Sequence, residues 1–90
     1  MKRYFIIFKG RVQGVGFRYF VYKEASKLNL KGFVRNLANG YVEAEIQGNQ
    51  EDFNRLLGKI LENKGYIKVE DYSIKEISLK ENETKFNISY

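Results

Sequence analysis

Between Gly10 and Arg18 the chain reads Gly10-Arg11-Val12-Gln13-Gly14-Val15-Gly16-Phe17-Arg18, a glycine-bearing stretch that ends in an arginine. Placed after a strand and before a helix, such a stretch cradles an anion. Glycines let successive backbone N–H groups turn inward, and the helix N-terminus adds its positive dipole end. An arginine in the first turn then donates two parallel hydrogen bonds to phosphate oxygens. Two glycines and an arginine by themselves mean no more than a turn and a solvated helix residue, so the elements around them decide the reading.

Those elements follow from periodicity. Tyr4 to Phe8 is a short aromatic and β-branched run, a strand central in its sheet that ends at Gly10. Phe17, Phe20, Val21, Ala25 and Leu28 recur at steps of three and four, which predicts a helix from Phe17 or Arg18 to Leu30 with Gly32 closing the turn. A brief strand, Phe33 to Asn36, precedes Asn39-Gly40, a dipeptide suited to positive φ at both central positions of a tight hairpin. In the next strand, Tyr41 to Gln47, Val42, Ala44 and Ile46 face a core, while Glu43 and Glu45 face water. Asn49 caps a second helix, Phe53, Leu56, Leu57, Ile60 and Leu61 supply its apolar face, and Gly65 ends it. Two weaker strands follow, Ile74 to Leu79 and Phe86 to Tyr90, divided by a charged turn from Lys80 to Lys85.

The order is βαββαβ with an extra short C-terminal strand. It predicts an α+β, ferredoxin-like two-layer sandwich, in which two helices cover one face of an antiparallel sheet. Ninety residues suffice for one such domain, spanning residues 1–90, and 14 aromatic residues fill its core. A helix between the first two strands makes them parallel, so the loop after the first and Asn36 at the end of the second share one edge of the sheet. With the third strand between them, their backbones stand about 10 Å apart, which an amide side chain, a water and a phosphate can bridge.

Composition narrows the chemistry. With no Cys and no His, the chain has no disulfide, no thiolate or imidazole metal ligand, and no Cys or His nucleophile. The working nucleophile is then water. A formal charge of +5 favours anions without choosing among them, and Lys9, Arg11, Lys31 and Arg35 could enlarge the field around the loop, though singly they read as solvated charges. The N-terminal apolar run is five residues long and Lys9 interrupts it, so it reads as a strand and a cytoplasmic location is expected.

The run Gly10 to Arg18 resembles the acylphosphatase signature G-x-V-Q-G-V-x-F-R at every specified position. The segment Gly32-Phe33-Val34-Arg35-Asn36, with Asn39-Gly40-Tyr41-Val42-Glu43, resembles the family's second motif, G-x-V-x-N-x-x-D/N-G-x-V-E. One departure is Gly65-Tyr66, where many relatives carry Gly-Pro; this chain has no proline. The resemblance implies a cofactor-free, metal-free hydrolase of small acyl phosphates. It also implies that Arg18 and the backbone amides of Gln13, Gly14, Val15, Gly16 and Phe17 hold the phosphoryl group, while Asn36 orients the attacking water. The residue inventory is consistent with that chemistry, because an acyl phosphate expels a stable carboxylate and needs no general acid.

A binding module is the alternative. Lys31-Gly32-Phe33-Val34 is superficially similar to the RNP1 stretch of RNA-recognition domains, but it falls on the second strand and continues without the further aromatics. Neither a nucleic-acid nor a membrane partner is expected, and a monomer suffices. Glu43 and Glu45 alternate on a wet face with no other acidic residue converging on them, so they do not read as an acid/base pair or a metal site.

Overall fold

The computed structural model describes residues 1–90 as β1 (Lys2–Arg11), α1 (Phe17–Lys27), β2 (Lys31–Asn36), β3 (Val42–Gly48), α2 (Gln50–Ile60), β4 (Lys68–Ile77) and β5 (Phe86–Ser89). The five strands form one sheet in the order β4-β1-β3-β2-β5. The first four pair antiparallel, and the added β5 pairs parallel to β2. Because β3 separates β1 from β2 and runs against both, those two strands are parallel and end at the same edge.

Alternation divides the sheet into two faces. Ile6 and Phe8 on β1, Val34 on β2, and Val42, Ala44 and Ile46 on β3 are buried in one core cluster with Phe17, Val21 and Ala25 of α1 and Phe53, Leu56 and Ile60 of α2. Neighbouring positions point the other way, toward a face that carries Arg3, Glu43, Glu45 and Gln47. That face is less wet than its alternation suggests. Arg3, Glu43 and Gln47 are all buried, and Glu43 and Glu45 are held by Arg35 and Arg3 respectively.

Several boundaries differ from the sequence reading, each for a local reason. β1 begins at Lys2 and runs one residue past Gly10, to Arg11, through a register shift at Lys9/Gly10. α1 ends at Lys27 rather than Leu30, because Asn29 adopts φ 56° and the amides of Asn29 and Leu30 bond back to Ser26 and Ala25. That is a Schellman end with asparagine in the left-handed position that glycine often fills. Gly32 lies inside β2, where a Cβ would strike the carbonyl of Glu45. α2 begins as expected, with the Asn49 side chain accepting from the Asp52 amide at 2.8 Å. It stops at Ile60, five residues before Gly65, and Asn63 (φ 55°) turns the chain and accepts from the Val69 amide.

The hairpin differs in type. Leu37 pairs with Tyr41 around a three-residue loop in which Gly40, not Asn39, has positive φ, the pattern of a type I turn closed by a glycine bulge. β4 starts six residues before the expected Ile74. It is an edge strand exposed along most of its length, so Lys68, Glu70 and Asp71 give no alternation to read. The segment from Lys80 to Lys85 is no hairpin turn, since it joins β4 and β5 at opposite edges of the sheet.

Candidate active site

The loop after β1 places Gly14 and Gly16 at φ 72° and 81°, both left-handed. A Cβ on either would meet nothing within 4 Å, so glycine serves conformation here rather than space. Gly16 is also the N-cap of α1, without a side chain to cap it, and the first helical bond is donated by Phe20 to the Gly16 carbonyl. Among the backbone bonds made outside helices and strands, none is donated by a residue from Gln13 to Tyr19. The result is a run of free N–H groups at the positive end of a helix, the arrangement that binds tetrahedral anions.

Packing fixes this loop from both sides. Phe17, 1% exposed, packs edge-on against Phe8 with ring centroids 5.2 Å apart, which pins the helix start to β1. Gln13 turns its side chain the other way, and its Nε2 donates to the carbonyls of Leu37 and Tyr41, both at 2.8 Å. The loop is thereby tied to the mouth of the β2–β3 hairpin, one residue beyond Asn36.

A cavity of about 250 Å³ opens there, lined by Gly14, Gly16, Phe17, Arg18 and Asn36 together with Val12, Tyr19, Ile88 and Tyr90. Of the residues read from the sequence, Gln13 and Val15 do not line it: Gln13 braces the hairpin, and Val15 packs against the core. Asn36 ends β2 on the core side, and its Oδ1 is the buried side-chain atom without a hydrogen-bond partner.

Arg18 forms no ion pair with any of the carboxylates that hold Arg3, Arg35 and Arg55. Its Nη1 approaches the Ser89 carbonyl at 3.5 Å, and its Cζ lies 4.9 Å from the centre of the Tyr90 ring. The guanidinium is thus held by a carbonyl and a ring, with its charge uncompensated. Ser89 and Tyr90 escaped the sequence reading because nothing in their types reveals that β5 lies beside β2. Of the basic residues expected to widen the field, Arg35 is neutralised by Glu43 on the opposite face. Lys31 sits at the far end of β2, in a separate cavity with Lys85.

The profile of the acylphosphatase family matches residues 4–88. The chain belongs to that family. It is 46% identical to an acylphosphatase of Bacillus licheniformis and 43% identical to one of Clostridium beijerinckii, in each case over all of both chains. It superposes on the crystal structure of acylphosphatase from Bacillus subtilis with a TM-score of 0.93, at 40% identity and full coverage of both. The chain is therefore a hydrolase of the acylphosphatase type, acting on small acyl phosphates, and the ferredoxin-like architecture expected from its element order is the family's own. No helix is long and apolar enough to cross a membrane.

Proposed function

We propose that Arg18 and the loop amides from Gln13 to Phe17 bind the phosphoryl group of a small acyl phosphate while Asn36 places the attacking water. The observation that carries this reading is the meeting, in one cavity, of the Asn36 side-chain amide and a guanidinium without a carboxylate partner. The Asn36 side-chain amide hydrogen-bonds the water and aims the water's oxygen at phosphorus. The P–O bond to the acyl oxygen breaks, and its electron pair leaves on the carboxylate. One water proton stays on the new phosphate oxygen and the other passes to a second phosphoryl oxygen, so the products are carboxylate and inorganic phosphate.

Positioning and charge stabilisation carry most of phosphoryl transfer, and a guanidinium, a ring of amides and one amide side chain supply both. No cofactor or metal enters the scheme, and no nucleic-acid partner is part of it. We read the chain as a cytoplasmic monomer, since both layers of the core close within one chain and the apolar run near the N-terminus serves as an interior strand. The deciding experiment is hydrolysis of benzoyl phosphate beside a phosphate monoester, in chelator-containing buffer. Rapid cleavage of benzoyl phosphate alone, lost in Arg18→Ala and Asn36→Ala with the fold intact, supports the assignment; full activity in either variant removes that residue from the mechanism.

A further inference from the structure

We propose that Glu83, at the end of the sheet away from the cavity, is a positioning residue for Arg18 and acts through β5. The inference rests on the reading of Arg18 as the phosphate ligand. It begins with the connection between β4 and β5. These strands lie at opposite edges of the sheet, so residues 78–85 must pass from one edge to the other. Side chains on the helix-free face show where this strap lies. The Lys80 amide donates to Gln47 Oε1 at 2.9 Å and its carbonyl accepts from Gln47 Nε2 at 3.1 Å. Further along, both carboxylate oxygens of Glu83 accept from Arg3, at 2.7 and 3.3 Å. Arg3 is 1% exposed and also donates to Glu45 and Gln47, so the strap is clamped to a buried, multiply bonded cation.

Three residues beyond Glu83 the chain enters β5. That strand has four residues and one neighbour, β2, and its entry is marked by the Lys85 carbonyl accepting from the Gly32 amide at 3.4 Å. The other end, about 10 Å away along an extended strand, bears the Ser89 carbonyl and leads into the Tyr90 ring, the two groups that approach the Arg18 guanidinium. Since Arg18 has no carboxylate partner, its orientation depends on them. Phe86 and Ile88 hold β5 laterally against the core. The strap clamp adds a restraint at the strand's entry, and a small tilt or slip of so short an edge strand displaces both contacts to Arg18. A cation that must grip phosphate with two parallel bonds is sensitive to such a displacement.

The probe is inorganic phosphate, competing with benzoyl phosphate, on the full chain carrying Glu83→Gln. The substitution keeps the size of the side chain and weakens the clamp. A rise in the phosphate inhibition constant of about 2- to 30-fold is expected, the usual range for coupling through a packed network. Ile60→Val, which loosens the core under α2 without touching β5, controls for lost stability and should keep the wild-type constant. Combined with Tyr90→Ala, Glu83→Gln should add less than its separate effect, because both act on the same guanidinium. Should Glu83→Gln fail to fold, Glu83→Asp, which keeps the charge but shortens the reach, is read in its place. A wild-type phosphate constant in the Glu83 variant overturns the proposal, as does an equal rise in Ile60→Val or a fully multiplicative effect with Tyr90→Ala. Arg18→Ala separates the two levels: unchanged phosphate binding there sinks the site assignment and the positioning role together, whereas lost binding there beside a normal Glu83→Gln sinks the positioning role alone.

Discussion

Arg3 and Arg18 stand at opposite ends of the same sheet, and the protein treats their charges in opposite ways. Arg3 is 1% exposed and surrounded: Glu45 and Glu83 accept from it, and so does Gln47. Burial alone would lower its pKa, but the hydrogen bonds and charges of Glu83 and Glu45 outweigh that and raise it above the ordinary arginine value. Arg18 lines an open cavity, with a carbonyl at 3.5 Å and an aromatic ring for company. A cation whose charge is spent on internal carboxylates has none left for a ligand, and one left uncompensated at a helix N-terminus is poised for an anion. Residue type does not separate the two; the surroundings do.

The comparison breaks first at Arg18 if it is wrong. Arg18→Ala should lower kcat/KM for benzoyl phosphate by at least a few hundredfold, about 3 kcal/mol of lost transition-state stabilisation. Its thermal midpoint should stay near that of the wild type, because the guanidinium has no carboxylate to abandon. Arg18→Lys should recover little, since an ammonium cannot give two parallel bonds. Asn36→Ala should cost a similar factor in kcat and leave the thermal midpoint near that of the wild type, because Oδ1 gives up no bond within the protein. Activity and thermal unfolding measured on the same samples check both.

At the other end the signs reverse. Arg3→Met strands the carboxylates of Glu45 and Glu83, and breaking a buried pair from one side costs about 3–5 kcal/mol. For a chain of this size that is a fall in Tm on the order of 15 °C or more. A Tm within a few degrees of the wild type would show that water reaches this face freely and that the clamp is a surface ion pair. Between the two ends lies Gln13, whose two bonds to Leu37 and Tyr41 join the loop to the hairpin. Gln13→Ala should cost about 1–2 kcal/mol in stability. It should also depress kcat by roughly tenfold, through misplacement of Asn36 relative to the phosphate.

The two ends were also unequally legible in the sequence. Around Arg18 the evidence is local: the glycines, the arginine and the start of the following helix lie within nine residues, and parallel β1 and β2 bring Asn36 to the same edge by topology alone. The clamp around Arg3 joins residues 42 to 80 positions apart, and neither the alternation of β3 nor the charges of the strap reveal it. Glu45 read as a solvated residue because alternation reports the face, not what crosses it. The short connection from Lys80 to Lys85 read as a turn because only the sheet order shows that it must travel to the opposite edge. Helix ends were misplaced for a smaller reason: Asn29 and Asn63 take the left-handed positions that glycine was expected to hold.

Glycine substitution gives the finest version of the comparison, because Gly16 and Gly32 both have positive φ and differ in what surrounds them. At Gly32 (φ 138°) a Cβ would collide with the backbone of Glu45, so Gly32→Ala must push β2 and β3 apart and should unfold or strongly destabilise the chain. At Gly16 a Cβ has open space, and the remaining cost is the left-handed conformation itself, about 1–2 kcal/mol. The loop can escape that strain by relaxing φ without disturbing the core, but relaxation turns its amides away from the cavity. Gly16→Ala should therefore keep a thermal midpoint within a few degrees of the wild type while phosphate binding weakens by roughly tenfold, in proportion to the strain. Equal loss of stability at both glycines would mean that the loop is as rigidly packed as the sheet, and that its free amides reflect the fold's constraints and not a site kept open for an anion.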